Sequence, residues 1–166
     1  MAEAELDMIQ EMKERVRIMY DEGLALKNQG MDIEALKKFD EVQLMIKQEA
    51  GDSAQEQLNM VYSEIAIVCN VLSMKHLQKE DYKLCQDLLK KSELFAEGNP
   101  RVKAITYNNY ACLFRKTNKL RNALNYLEMA LQLEYSNLIN EEASVSEALS
   151  ISNPAEIHLN ICAILS

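Results

Sequence analysis

The chain has 166 residues and a net charge of −8, and nearly half of its residues are hydrophobic. With only four glycines and two prolines among many helix formers, the composition predicts an all-α domain. The acidic balance argues against nucleic acid as a partner, because phosphate contacts need a basic face, and no run of about 18 apolar residues is present to span a membrane. The stretch from Met1 to Asp7 is acidic and carries no apolar signal segment. Cys69, Cys85, Cys112 and Cys162 are far apart, form no C-x2-C pair and sit in apolar helical patterns. They are expected to be reduced and buried, as in a cytoplasmic protein.

Helix signals then follow in chain order. Gly30 suits a short turn, and Asp32 stands ahead of Ile33, Glu34 and Ala35 as a cap. Ser53 and Glu56 have capping-box spacing. Asn99-Pro100 and Asn153-Pro154 each place a capping side chain before a proline whose missing N–H costs nothing at the first helical position. Asn118 suits another short turn. These signals predict helices over 3–29, 32–49, 53–78, 80–97, 100–117, 119–136 and 154–166. The stretch 137–153 has two readings: a continuation of the sixth helix, or a Ser-rich loop with a short helix.

The most patterned segment is 104–130. Tyr107, Tyr110-Ala111 and Phe114 are followed by Ala123, Leu127 and Ala130. Small residues stand where two helices cross closely, and large ones fill the space around the crossing. In these residues the chain resembles the tetratricopeptide repeat (TPR) family. Aligned on Ala35, Cys85 and Ala123, a first unit has Met19, Gly23 and Leu26 with Phe39 and Val42. A middle unit has Cys69, Leu72, Ser73 and His76, then Tyr82, Cys85, Leu89 and Ser92. A fourth unit begins at Ala155, with Asn160 matching Asn109. No family tryptophan is present, and Tyr135 stands in place of the terminal proline. The intervals are 50 residues from Ala35 to Cys85 and 38 from Cys85 to Ala123, where the family repeats every 34 or so. The resemblance implies a TPR-like α-solenoid of stacked antiparallel helix pairs, about three and a half repeats with lengthened helices. It implies one domain over 1–166, with units near 10–49, 55–97, 100–136 and a partial one at 154–166.

No catalytic constellation is legible, and the expectation is a non-enzymatic protein without cofactor or metal site. His76 and His158 fall at aromatic repeat positions and read as packing residues. The resemblance implies that the first helix of each repeat lines a concave groove. That places Arg17, Tyr20 and Leu24, then Asn70, Met74 and Leu77, then Ile105, Asn108, Asn109, Cys112, Arg115 and Lys116, then Leu159, Asn160 and Ala163 along the groove. The expected partner-binding set is Asn70, Met74, Leu77, Ile105, Asn108, Asn109, Cys112, Arg115 and Lys116. Asparagine is a poor mid-helix residue, so its recurrence asks for a reason. Either the amides hold a partner's backbone, or they tie neighbouring repeats together. Tyr20 and Leu24 cannot clamp a carboxylate, and Glu156 and Asn160 stand where cations would be needed, so binding of chaperone C-terminal tails is not expected.

The expected function is a scaffold or adaptor that binds a protein or peptide segment through this groove. The alternatives are a regulatory or targeting segment of a larger enzyme, or a structural element of a cytoskeletal or ciliary assembly. The ending Asn153–Ser166 is similar to repeats of large protist proteins, some of them ciliary, and its stop within an apolar helix suggests a fragment. Ile157, Ile161, Ile164 and Leu165 are expected to leave an exposed apolar edge, and hence a contact, on that last helix.

Overall fold

The structure, a computed structural model, describes residues 2–48, 54–142 and 154–165. Among the described residues are seven helices and no strand: α1 (Ala2–Asn28), α2 (Asp32–Gln48), α3 (Ala54–Gln78), α4 (Tyr82–Phe95), α5 (Pro100–Lys116), α6 (Leu120–Glu142) and α7 (Pro154–Leu165). None is long and apolar enough to cross a membrane. The chain forms two compact units, Met1–Val68 and Cys69–Ser166, with the boundary inside α3.

All predicted helices are present, with shifted ends. The sixth runs on to Glu142, so the helical reading of 137–153 holds that far, and 143–153 lie outside the described residues, as do the caps expected at Ser53 and Asn153. The Asn99 cap is formed: its side chain accepts from the Val102 N–H at 3.2 Å, with Pro100 following. Asp32 does not hold the cap position expected of it. The Ala35 N–H bonds to the Met31 carbonyl, which makes Met31 the capping residue and Asp32 the first residue inside the helix. There its charge favours the positive helix end. The fourth helix starts later than expected because Glu80 and Asp81 are used by the turn and the cap, Asp81 accepting from the Leu84 N–H at 3.2 Å.

Three helix pairs, α1–α2, α3–α4 and α5–α6, are closed by the same turn. Gly30, Glu80 and Asn118 each adopt positive φ, at 75°, 61° and 57°. In each, the residue's N–H bonds to the carbonyl three positions back, and the next N–H bonds to the carbonyl five positions back. These are Gly30 to Lys27 with Met31 to Leu26, Glu80 to Leu77 with Asp81 to His76, and Asn118 to Arg115 with Lys119 to Phe114. This is the Schellman arrangement, which satisfies the last carbonyls of a helix and demands a left-handed residue. The three residues lie five positions before Ala35, Cys85 and Ala123, so the internal period visible in the side chains extends to the backbone.

Left-handed backbone is strained for any residue with a Cβ. Glu80→Gly is therefore expected to stabilise the second unit by about 0.5–1 kcal/mol, and Gly30→Ala to destabilise the first by about 1 kcal/mol. A Cβ at Gly30 meets nothing within 4 Å, so the effect is of backbone origin. Urea midpoints for the two variants check this; shifts of the same sign would refute it.

In the first unit, Val16, Ala35, Phe39, Val42, Ile46, Val61, Ile65, Ala66 and Val68 are buried. Gly23 lets α1 approach α2 closely, since a Cβ there would stand 2.6 Å from the Phe39 ring. Tyr20 packs on the same ring with centroids 5.8 Å apart. An ion pair between Lys27 and Glu64 joins α1 to α3. In the second unit, the core gathers Leu77, Cys85, Leu89, Tyr107, Tyr110, Ala111, Leu113, Ala123, Leu127, Ala130 and Ile157. Ala111 and Ala123 thus stand inside the α5–α6 crossing, as their size requires.

The last helix corrects one expectation. Ile157 is only 1% exposed, and Ile161 and Ile164 pack against the same core. Their 3–4-residue spacing faces α6, so they do not form the exposed edge predicted for them. The Leu165 side chain lies outside those described. Among the described residues of α7, the large apolar side chain left exposed is Leu159, at 70%. Cys162 is exposed as well and Cys112 is half-buried, so the expected burial of the cysteines holds only for Cys69 and Cys85.

Candidate protein-binding site

The nine residues expected to bind a partner lie on α3 and α5 of the second unit and divide by depth. Asn70, Leu77 and Asn109 are buried, Met74, Ile105, Asn108 and Cys112 are half-buried, and Arg115 and Lys116 are exposed. Helical spacing puts 70, 74 and 77 on one face of α3, and 105, 108, 109, 112, 115 and 116 along one side of α5. Met74, Leu77 and Cys112 are continuous with the core.

The asparagines join helices. The Asn109 amino group donates to Asn70 Oδ1 at 3.0 Å, linking α5 to α3. The Asn160 amino group donates to Asn108 Oδ1 at 2.9 Å, linking α7 to α5. In the repeat register, Asn70 and Asn108 both lie 15 positions before the small residue of the following helix, and Asn160 matches Asn109. The two bonds are alike and form two rungs of a ladder: in the register that the resemblance implies, donor and acceptor occupy corresponding positions each time. At the corresponding positions of the first and middle units stand Tyr20 and Val71, which cannot form an amide pair.

Asn70 has a further partner that the sequence did not suggest. Its amino group donates to Thr106 Oγ1 at 3.0 Å. Thr106 donates in turn to the Val102 carbonyl at 2.9 Å and lies 2.8 Å from Ser92 Oγ. Ser73 donates to the Asn70 carbonyl at 2.7 Å. Ser73, Ser92 and Thr106 are fully buried, so α3, α4 and α5 meet through a polar cluster whose members satisfy one another. The signal was available: Ser92 follows Cys85 and Leu89 on the buried stripe of the fourth helix. Asn70 and Asn109 are engaged with each other, tying α3 to α5. The second rung is half-buried, and its Asn108 amino group and Asn160 carbonyl have no partner among the described residues.

A second polar focus was not foreseen. Tyr110, Phe114 and Tyr126 stack, with Tyr110 and Tyr126 centroids 4.8 Å apart and Phe114 and Tyr126 5.5 Å apart. Tyr107 meets Tyr126 edge-on at 5.6 Å. The half-buried Glu93 of α4 faces this cluster, and its charge and hydrogen bonding are among the causes that raise the pKa values of Tyr107 and Tyr110. Burial first, and then the Glu93 charge, raises the pKa of Tyr110 and Tyr126 above the usual phenol value. Burial also raises Tyr107, partly opposed by Lys103. Burial, with smaller contributions from Cys112 and Asp81, pushes the Cys85 thiol from 9.0 to about 11. Such a thiol is almost wholly protonated near neutral pH and a poor nucleophile there. Around His76, the nearest acid is Asp81, its Oδ2 3.9 Å from Nδ1.

Toward solvent, the face holds half-buried Met74, Ile105 and Cys112 beside the open rung, with Arg115 and Lys116 at its end. Chemically it offers apolar contact, one amide donor, one amide acceptor and two cations. No family model, curated protein or solved structure matches the chain.

Proposed function

We propose that the chain is a TPR-like interaction scaffold, not an enzyme, and that the α3–α5–α7 side of its second unit holds a segment of a partner protein. One observation carries the reading: the amide ladder repeats in register, and its outer rung keeps a donor and an acceptor unspent beside apolar and cationic side chains. A peptide backbone needs that donor–acceptor pair, and apolar anchors with an acidic residue suit the remaining surface. The binding residues in this reading are Met74, Ile105, Asn108, Cys112, Arg115 and Lys116, with Asn70, Leu77 and Asn109 holding the helices that carry them. A cytoplasmic setting, cytoskeletal or ciliary, rests on the sequence resemblance.

The test uses a displayed peptide library selected on the whole chain. Enriched peptides are expected to combine apolar anchors with Asp or Glu. Arg115→Glu with Lys116→Glu is expected to weaken their binding about tenfold or more, with the thermal midpoint unchanged because both side chains are exposed. Equal binding by wild type and double variant would remove this face from consideration.

A further inference from the structure

Within the first unit, α1 and α3 leave a cleft of about 510 Å³ over α2, a volume within the range of about 300–1,000 Å³ that ligand sites occupy. Val42 and Ile46 of α2 form its floor, with Val16 and Val61 buried at the sides. Met60 stands at the opening, 53% exposed, and a flexible thioether there adapts to different apolar surfaces. Along α1 the cleft extends from Gln10 to Tyr20, about 15 Å at 1.5 Å per residue, or nearly three helical turns.

The rim has a definite charge character. Arg17 is engaged by Glu14 at 2.8 Å. Lys13 has no ion pair or hydrogen bond among the described residues. A protein of net charge −8 thus places an unspent cation beside an apolar cleft, which favours an acidic group on whatever occupies it. The floor offers hydrocarbon only. An extended segment would press its unpaired main-chain groups against that floor, whereas a helix satisfies its own backbone and presents a stripe of side chains.

We propose that this cleft is a docking site for an amphipathic helix of a partner protein. The helix is about three turns long, with large apolar residues at i, i+3 and i+7 and an Asp or Glu placed against Lys13. The site lies in the first unit and does not depend on the function proposed for the second.

The experiment uses the whole chain and a dye-labelled helical peptide carrying three leucines at that spacing and flanking glutamates, with a second peptide bearing lysines instead. Fluorescence anisotropy should show saturable binding of the glutamate peptide. Met60→Glu should weaken it at least about tenfold by placing a charge at the opening. Lys13→Glu should also weaken it about tenfold and reverse the preference toward the lysine peptide. Both residues are exposed, so thermal midpoints should stay at the wild-type value. Arg115→Glu with Lys116→Glu should leave this binding unchanged, which separates it from the site of the second unit. Four results would overturn the proposal. These are no saturable binding, binding indifferent to either first-unit variant, displacement by dodecanoate with no effect of peptide charge, and a concentration-dependent mass increase abolished by Met60→Glu, which would make a second copy the occupant.

Discussion

Asn70→Ala is expected to lower the unfolding free energy of the second unit by about 2–4 kcal/mol. The side chain is 4% exposed, donates to Thr106 and accepts from Asn109. Removing it deletes two buried hydrogen bonds and takes away the acceptor of the Asn109 amino group. An unsatisfied buried amide costs more than the bond itself contributed. Asn109→Ala should cost less after Asn70→Ala than before, because the pair acts as a unit, and a double-mutant cycle should return a coupling of about 1 kcal/mol or more. Asn108→Ala at the half-buried rung should cost only about 0.5–1.5 kcal/mol. Urea denaturation followed by circular dichroism measures all three. Coincident midpoints for Asn70→Ala and wild type would mean that the ladder contributes nothing to folding.

The second large effect is a loss of stability in alkali. Folding raises the pKa of the Cys85 thiol and of Tyr20, Tyr107, Tyr110 and Tyr126. A group with a raised pKa keeps its proton longer when folded. Its contribution is complete below the unfolded pKa and is lost as pH climbs through the folded one. For Cys85 the window lies between pH 9.0 and about 11, and two pKa units correspond to about 3 kcal/mol. The tyrosines add to the decline from their ordinary 10.0 upward. Lys103, raised by its hydrogen bond to Glu97 and opposed by desolvation, acts in the same direction. Domains of this size hold only about 5–15 kcal/mol in all, so unfolding is expected near pH 11. Urea midpoints at pH 7, 9, 10 and 11 should fall progressively, and Cys85→Ala should make the decline between pH 9 and 11 shallower. A midpoint constant from pH 7 to 11 would contradict the burial of these groups.

Much of the fold was legible because its devices are local. Pro100 after Asn99 marks a helix start with two independent signals, and Gly30 and Asn118 mark turns by residue type alone. Glu80 was missed as a left-handed residue because nothing in a glutamate announces positive φ; only its position five residues before Cys85 does. The all-α class and helix pairing followed from composition and period. The site was less legible, since helical spacing places a residue on a face without revealing its depth. Asn70, Asn109 and Leu77 share faces with Met74 and Ile105 yet are buried, the asparagines in hydrogen bonds between α3 and α5 and Leu77 in the core of the second unit. Glu93 escaped notice for a related reason. It reads as a surface acid until three tyrosines from two other helices converge on it.

The unequal turn residues bear on the order of events during folding. Each helix pair is closed by a few residues, so its contacts are near in sequence and carry little loop-closure cost, which favours rapid, independent formation of pairs. Gly30 reaches its left-handed state freely and Asn118 at modest cost, whereas Glu80 must be forced into it. The outer pairs are thus prepared to nucleate by their own turns. The α3–α4 pair gains less from its turn and relies more on burying Cys85, Leu89 and Ser92, so Glu80→Gly is expected to speed its closure.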